Sequence, residues 1–112
     1  MSGQNSIKNW AEDDRPREKL MTKGNESLSN AELLAILIGS GNKDESAVEL
    51  SKRILSSVEN NLNELGRCTV RQLTTSFLGI GEAKAVSIIA ALELGRRRKH
   101  EEVMVRPSIK MS

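Results

Sequence analysis

The sequence predicts an all-α fold, a small helical bundle containing two helix–turn–helix pairs. Three observations carry that expectation. Apolar residues recur at helical spacing, as in Val48, Leu50, Ile54, Leu55 and Val58. Ser29-Asn30-Ala31-Glu32 and Thr69-Val70-Arg71-Gln72 both have the form of a capping box, a hydroxyl followed three residues later by a carboxylate or amide. Two glycine pairs, Gly39-Ser40-Gly41 and Gly79-Ile80-Gly81, interrupt the chain between apolar segments.

Each element follows in order. Residues 1–14 are polar and expected to be loose, with Trp10 free to fold back on the body. Asp14 can cap a short helix through Arg15 to Met21, with Pro16 early in it and Gly24 ending it. The Ser29 box opens a helix carrying Leu33, Leu34, Ile36, Leu37 and Ile38, stopped by Gly39-Ser40-Gly41. Another runs from Ser46 to Val58, and a helical turn near Leu62 to Leu65 is ended by Gly66. The Thr69 box opens a helix from Val70 to Leu78 that ends at Gly79. The last and longest helix runs from Glu82 to about Lys99. Between Ala83 and Leu94 only Lys84 and Glu93 are charged, so it is expected to lie centrally, wrapped by the others. Val103-Met104-Val105 reads as the start of a strand.

Composition narrows the function classes. At 112 residues, 38% of them hydrophobic, the chain makes one small domain. With aromatics at 2%, its core must be aliphatic. No apolar run is long enough to cross a bilayer, and Met1 to Trp10 lack the apolar stretch of a signal peptide. Cys68 is the only cysteine, which fits a reducing cytoplasm. One Cys and one His (His100) argue against a zinc site, and no spacing singles out a catalytic pair, so neither a metal, a cofactor nor an enzyme activity is expected within this chain. The net charge of +2 hides an asymmetry. Residues 1–65 hold eight basic and eleven acidic groups, residues 66–112 nine and four. A basic C-terminal part suits a polyanionic partner.

The two glycine turns lie in matching surroundings. Ser29 corresponds to Thr69, Glu32 to Gln72, Gly39 to Gly79 and Gly41 to Gly81, all offset by 40. Beyond the turn the offset is 38, pairing Ala47 with Ala85 and Val48 with Val86. A duplicated unit accounts for this pattern. In the second copy, Gly79 ends a helix in a left-handed conformation, Ile80 points inward, and Ala85 is small enough for close packing. The N–H groups near Gly81, Ala83 and Lys84 start the last helix without intrahelical acceptors. A phosphate can accept from them, helped by the helix dipole and by the charge of Lys84.

Leu78-Gly79-Ile80-Gly81 followed by Ala85 resembles the helix-hairpin-helix motif of DNA-binding modules. The paired arrangement is similar to the tandem units of repair proteins. More closely, the chain resembles the N-terminal domain of the RadC (UPF0758-like) family. The residues that carry this likeness are Arg15-Pro16-Arg17-Glu18-Lys19-Leu20, Leu28 to Leu37, Gly79 to Ala85, and Glu93-Leu94-Gly95-Arg96-Arg97. The resemblance implies a helix-hairpin-helix domain over 15–100 and a linker at 101–112. That linker would lead to an absent C-terminal hydrolase-like domain of the MPN type, where any metal chemistry would reside. It also implies contact with DNA backbone, without sequence preference, through Gly79, Ile80, Gly81, Ala83 and Lys84. The basic helix end, Arg96-Arg97-Arg98-Lys99, would add to it, extended by Arg67 and Arg71. The first hairpin, Gly39-Ser40-Gly41, is expected to be weaker, because Ser40 replaces the inward apolar residue and Asp44 and Glu45 bring negative charge. The alternative reading is a protein-interaction or regulatory module that positions the absent domain, with Trp10 and Met21 as candidates for an exposed apolar patch.

Overall fold

The computed structural model describes the backbone of residues 2–111 and the side chains of residues 12–104. Among these residues all regular structure is helical. The elements are α1 (Ser2–Lys23), α2 (Asn30–Ile38), α3 (Ala47–Ser57), α4 (Leu62–Arg67), α5 (Val70–Ser76) and α6 (Glu82–Met111), with one 3-10 turn at Asn25–Ser27. The protein is all-α, as its sequence predicts.

Local chemistry sets most of the helix starts. Ser29, Ser46 and Thr69 each accept from the backbone N–H three residues on, and Glu32, Glu49 and Gln72 reach back to close the box. Asn61 caps α4 by accepting from the Glu64 N–H. Each such cap is worth about 1 kcal/mol. The core then joins the helices through aliphatic side chains. Ala35, Ala47, Leu50, Ile54, Ala85 and Ile88 are fully buried. Each large member contributes about 1.5–3 kcal/mol by leaving water. Helix α6 packs against α2, α4 and α5, and α2 packs against α3.

Several boundaries differ from expectation. Helix α1 begins at Ser2, where residues 1–14 were expected to be loose and Asp14 to be a cap. Instead Asp14 is exposed inside the helix and its neighbour Asp13 is buried. The Asp13 carboxylate accepts from the Ala47 N–H at 2.6 Å, an attachment to α3 that no local pattern signals. Pro16 lies within α1 and is buried. Its missing N–H removes one helical bond, to the Glu12 carbonyl. The side chain of Trp10 lies outside the described residues. Helix α5 stops at Ser76, two residues short of Leu78, because Phe77 turns extended and buries its ring while Leu78 is left exposed. Helix α6 continues to Met111, so Val103 to Val105 are helical and start no strand. Nor is α6 wrapped on all sides, for Val86 and Leu94 are exposed.

The repeat survives in part. Leu50 and Ile88 are both fully buried, as are Ala47 and Ala85, so the offset of 38 holds for inward positions. The helices themselves begin 35 residues apart, since α3 starts at Ala47 and α6 at Glu82. The first copy lacks one helical turn there and has the loop Asn42 to Glu45 in its place.

Candidate nucleic-acid interface

The second turn is built largely as its sequence requires. Gly79 has φ +96°, a left-handed value that disfavours any side chain. Ile80 is buried and Ala85 fully so. The Ala85 N–H donates to the Gly81 carbonyl at 3.0 Å, which makes Gly81 the residue from which α6 departs. Gly81, Glu82 and Ala83 are exposed. Among the described residues, no hydrogen bond engages the N–H groups of Gly81, Glu82, Ala83 or Lys84. The starts of α2, α3, α4 and α5 are capped by their own chain; α6 starts on a glycine, with no side chain to do so. A Cβ placed on Gly81 would meet nothing within 4 Å. The space beside Gly81 is therefore open.

The first turn is closed. Gly39 has φ +77°. A Cβ on Gly41 would fall on the Glu45 carbonyl oxygen and stand 2.5 Å from the Ser46 carbonyl carbon. Asn42 organises this loop. Its Oδ1 accepts from the N–H groups of Asp44 and Glu45, each at 2.8 Å. Its Nδ2 donates to the Glu45 carboxylate at 2.9 Å and to the Leu78 carbonyl of the second hairpin at 2.8 Å. Glu45 faces Arg53, which donates to both its oxygens at 2.8 and 2.9 Å and lies 5.4 Å from the centre of the Phe77 ring. Hydrogen bonds from Arg53, then Asn42, hold the Glu45 carboxyl below its usual range. The start of α3 is occupied as well: Ser46 caps the Glu49 N–H and Asp13 takes that of Ala47. So the expected weaker hairpin keeps most of the amides at the start of α3 occupied, with that of Val48 left over. Of the two acidic groups expected to repel a phosphate, Glu45 is neutralised and Asp44 is exposed.

Lys84 is placed differently from expectation. Its Nζ donates to the Ser40 carbonyl at 2.9 Å and to the Ser40 hydroxyl at 3.0 Å, tying α6 to the first loop. Burial pushes the Lys84 ammonium down in pKa, and the charge of Asp13 opposes that shift. The two loops also touch directly, since a Cβ on Gly79 would stand 3.1 Å from the Gly41 carbonyl oxygen. Thus Gly39, Ser40, Gly41, Gly79 and Lys84 come together, with Gly81 at the open side.

The basic helix end does not join this group. Arg96 is fourteen residues beyond Glu82 in one helix. That places it about 21 Å away at 1.5 Å per residue. Four consecutive residues also point around most of a helix circumference, so Arg96 to Lys99 form no one-sided patch. Arg96 and Arg97 both bond Glu93 at 2.8 Å, and these bonds lower the Glu93 carboxyl to about 2. Arg98 and Lys99 are exposed and form no ion pair among the described residues. Arg67 pairs with Glu64. Arg71 is exposed.

Three features lay beyond sequence reasoning. Arg17 of α1 reaches the first loop, its Nη2 lying 3.9 Å from the position of a Cβ on Gly39. Asn42 fastens the two hairpins together. An apolar groove between α2, α4 and α6 is lined by Leu33, Leu37, Leu62, Ala91 and Leu92. Leu33 and Leu37, apolar residues of α2, are exposed. No group of three or more His, Cys, Asp or Glu side chains among the described residues is placed to hold a metal ion. No helix among them is long and apolar enough to cross a membrane.

These features define an all-α module whose two helix–turn–helix pairs are locked loop to loop, with one helix start left open. Its sequence places it among known proteins. Residues 7–86 match the family described as UPF0758 N-terminal, and the chain belongs to this RadC-like family. A UPF0758 protein of Flavobacterium johnsoniae is 65% identical over 99 residues, 88% of this chain and 42% of the relative. One from Porphyromonas gingivalis is 49% identical over 104 residues, 93% of this chain and 46% of the relative. One from Geobacillus thermodenitrificans is 54% identical over 91 residues, 81% and 39% respectively. The chain therefore spans less than half the length of these curated relatives. No solved structure matches it.

Proposed function

We propose that this chain is a non-enzymatic DNA-backbone-binding module of the helix-hairpin-helix type, acting in the reducing cytoplasm. The open start of α6 carries this reading. Its first amides have no acceptor among the described residues, and nothing stands in front of Gly81. Exposed amides at a helix start are met by water when nothing else is bound, and a phosphate oxygen can replace that water, bond several at once and meet the positive end of the dipole. Contacts of this kind reach phosphate and sugar only, so they read no sequence. The match of Leu78, Gly79, Ile80, Gly81 and Ala85 to the hairpin motif supports the same reading. Lys84 contributes by holding the first loop against the second, with its charge beside the site. Arg98 and Lys99 can reach a more distant part of a long duplex. Repair of DNA is the setting that the RadC resemblance implies.

The test is anisotropy of a labelled duplex across a salt series, using the parent chain and Gly81→Asp. The parent binds at low salt and loses affinity steeply as salt rises. The variant loses at least tenfold. Equal binding by the two, or none by the parent, overturns the reading.

A second reading is favoured by the groove at Leu33, Leu37, Leu62 and Leu92. An exposed apolar cleft of this kind suits a module that positions another domain. Met21 is exposed too, but it projects from α1 outside this groove. If Leu37→Glu leaves the fold and DNA binding unchanged yet abolishes association with the remainder of a full-length relative, the second reading holds.

A further inference from the structure

Two cations from distant parts of the chain approach consecutive residues of the first loop. The Arg17 guanidinium lies over Gly39, and the Lys84 ammonium bonds Ser40. Arg17 is exposed and forms no ion pair among the described residues. The nearest buried acid, Asp13, is engaged by the Ala47 N–H. Glu45 is engaged by Arg53 and Asn42. Asp44 is the exposed acid of that loop. The charge of Asp13 acts on Lys84, whereas Arg17 has no carboxylate partner among the described residues, so its guanidinium is left to an external anion. The loop also abuts the second hairpin, through Asn42 to Leu78 and Gly41 to Gly79. The Lys84 ammonium and the Arg17 guanidinium therefore both flank the first loop, which abuts the hairpin that carries the Gly81 amides.

Resting on the DNA reading above, we propose that Arg17 is a further phosphate contact, which makes the first hairpin a second attachment point for the same sugar–phosphate backbone. The two hairpins then act differently. The second offers main-chain amides. The first has closed its own helix start with Ser46 and Asp13, and borrows a guanidinium from α1 instead. Arg suits this task because its planar fork can bind two phosphate oxygens together and its charge never titrates near neutrality. The helix-hairpin-helix motif contains no such residue, so the contact comes from how α1 packs in this fold.

The test compares the parent, Arg17→Gln, Arg17→Lys, Gly81→Asp and Lys52→Gln in the salt-titrated duplex assay, with circular dichroism melts of each. Lys52 is an exposed cation on α3 and controls for loss of charge alone. Arg17→Gln should weaken binding about 3- to 10-fold at low salt and reduce the slope of log K against log salt by about one. Arg17→Lys should keep the slope, and Lys52→Gln should change neither quantity. Arg17→Gln binding with the parent's affinity and slope overturns the proposal while leaving the Gly81 reading intact. An effect of Lys52→Gln as large as that of Arg17→Gln overturns it too. A parent chain that binds no duplex, or a Gly81→Asp variant that binds as the parent does, removes the DNA reading and the role of Arg17 with it. Should Arg17→Gln lower the melting temperature by more than a few degrees, the slope of Arg17→Lys decides: retained supports the phosphate contact, and reduced by about one opposes it.

Discussion

Gly81→Asp should make the protein more stable and a poorer DNA binder at once. Gly81 occupies the position from which α6 departs, and its φ is not left-handed. A Cβ there meets nothing within 4 Å. An aspartate can therefore enter without a clash and accept from an amide one turn into the helix, as Ser29, Ser46 and Thr69 do for their own helices. Replacing glycine by a good cap gains a few tenths of a kcal/mol, and negative charge at a helix start adds about 0.3–1 kcal/mol. The total, about 0.5–1.3 kcal/mol, raises the melting temperature of a domain this size by about 2–6 °C. On the proposed reading, the same carboxylate fills the space that a phosphate would take and repels it. Loss of one such interaction, about 1.5–3 kcal/mol for a charged hydrogen bond, predicts a drop in affinity of about 10- to 100-fold. Melting by circular dichroism and duplex binding by anisotropy read the two effects separately. A lower melting temperature would show that the helix start is not free. Unchanged affinity would show that its amides do not hold a phosphate.

Three further outcomes follow from the packing. Gly41→Ala should cost about 2–4 kcal/mol in a denaturant melt, because the new methyl falls on the Glu45 carbonyl and opens the Asn42 loop with its hydrogen bonds. Gly66→Ala, inside α4 with only an ordinary contact to Leu92, should gain about 0.5–1 kcal/mol in the same assay. Ser51→Ala should be neutral or stabilising by up to about 1 kcal/mol, because the Ser51 Oγ is buried and has no partner among the described residues. Acid should destabilise the fold in a defined direction. The Glu32 carboxyl is lowered by the Ser29 N–H and then by Lys19, and the Glu45 carboxyl by Arg53 and Asn42. Each contributes stability that is present above the ordinary carboxyl value of 4.5 and is lost as pH falls through the lowered value. Melting temperature should hold near neutrality and fall below that value. In Glu45→Gln, the acid-dependent part of the fall should shrink.

The parts of the fold that sequence reveals are those set by neighbours in the chain. Ser29 and Thr69 cap helices with groups three residues away, so their boxes could be read directly. Gly79, Ile80 and Ala85 behave as their spacing requires for the same reason. Asp13 and Arg17 were illegible because their partners lie far along the chain, at Ala47 and Gly39. The contact of Lys84 with Ser40 was illegible too, since nothing nearby in sequence announces that Ser40 will stand beside it. Leu33 and Leu37 look like core residues on an apolar helix of nine residues, yet only Ala31, Leu34, Ala35 and Ile38 are buried. A pattern so uniformly apolar does not say which face turns inward. The run Arg96 to Lys99 is conspicuous as a string, but a helix distributes consecutive residues around its axis, and two of them are held by Glu93.

Amide chemical shifts of the isotopically labelled chain, followed as a short duplex is added at low salt, address the open helix start most directly. The largest movements should fall on Gly81, Glu82, Ala83 and Lys84, and they should vanish in Gly81→Asp. Shifts centred on Leu33, Leu37 and Leu62 instead, or no shifts at any residue, would contradict the account.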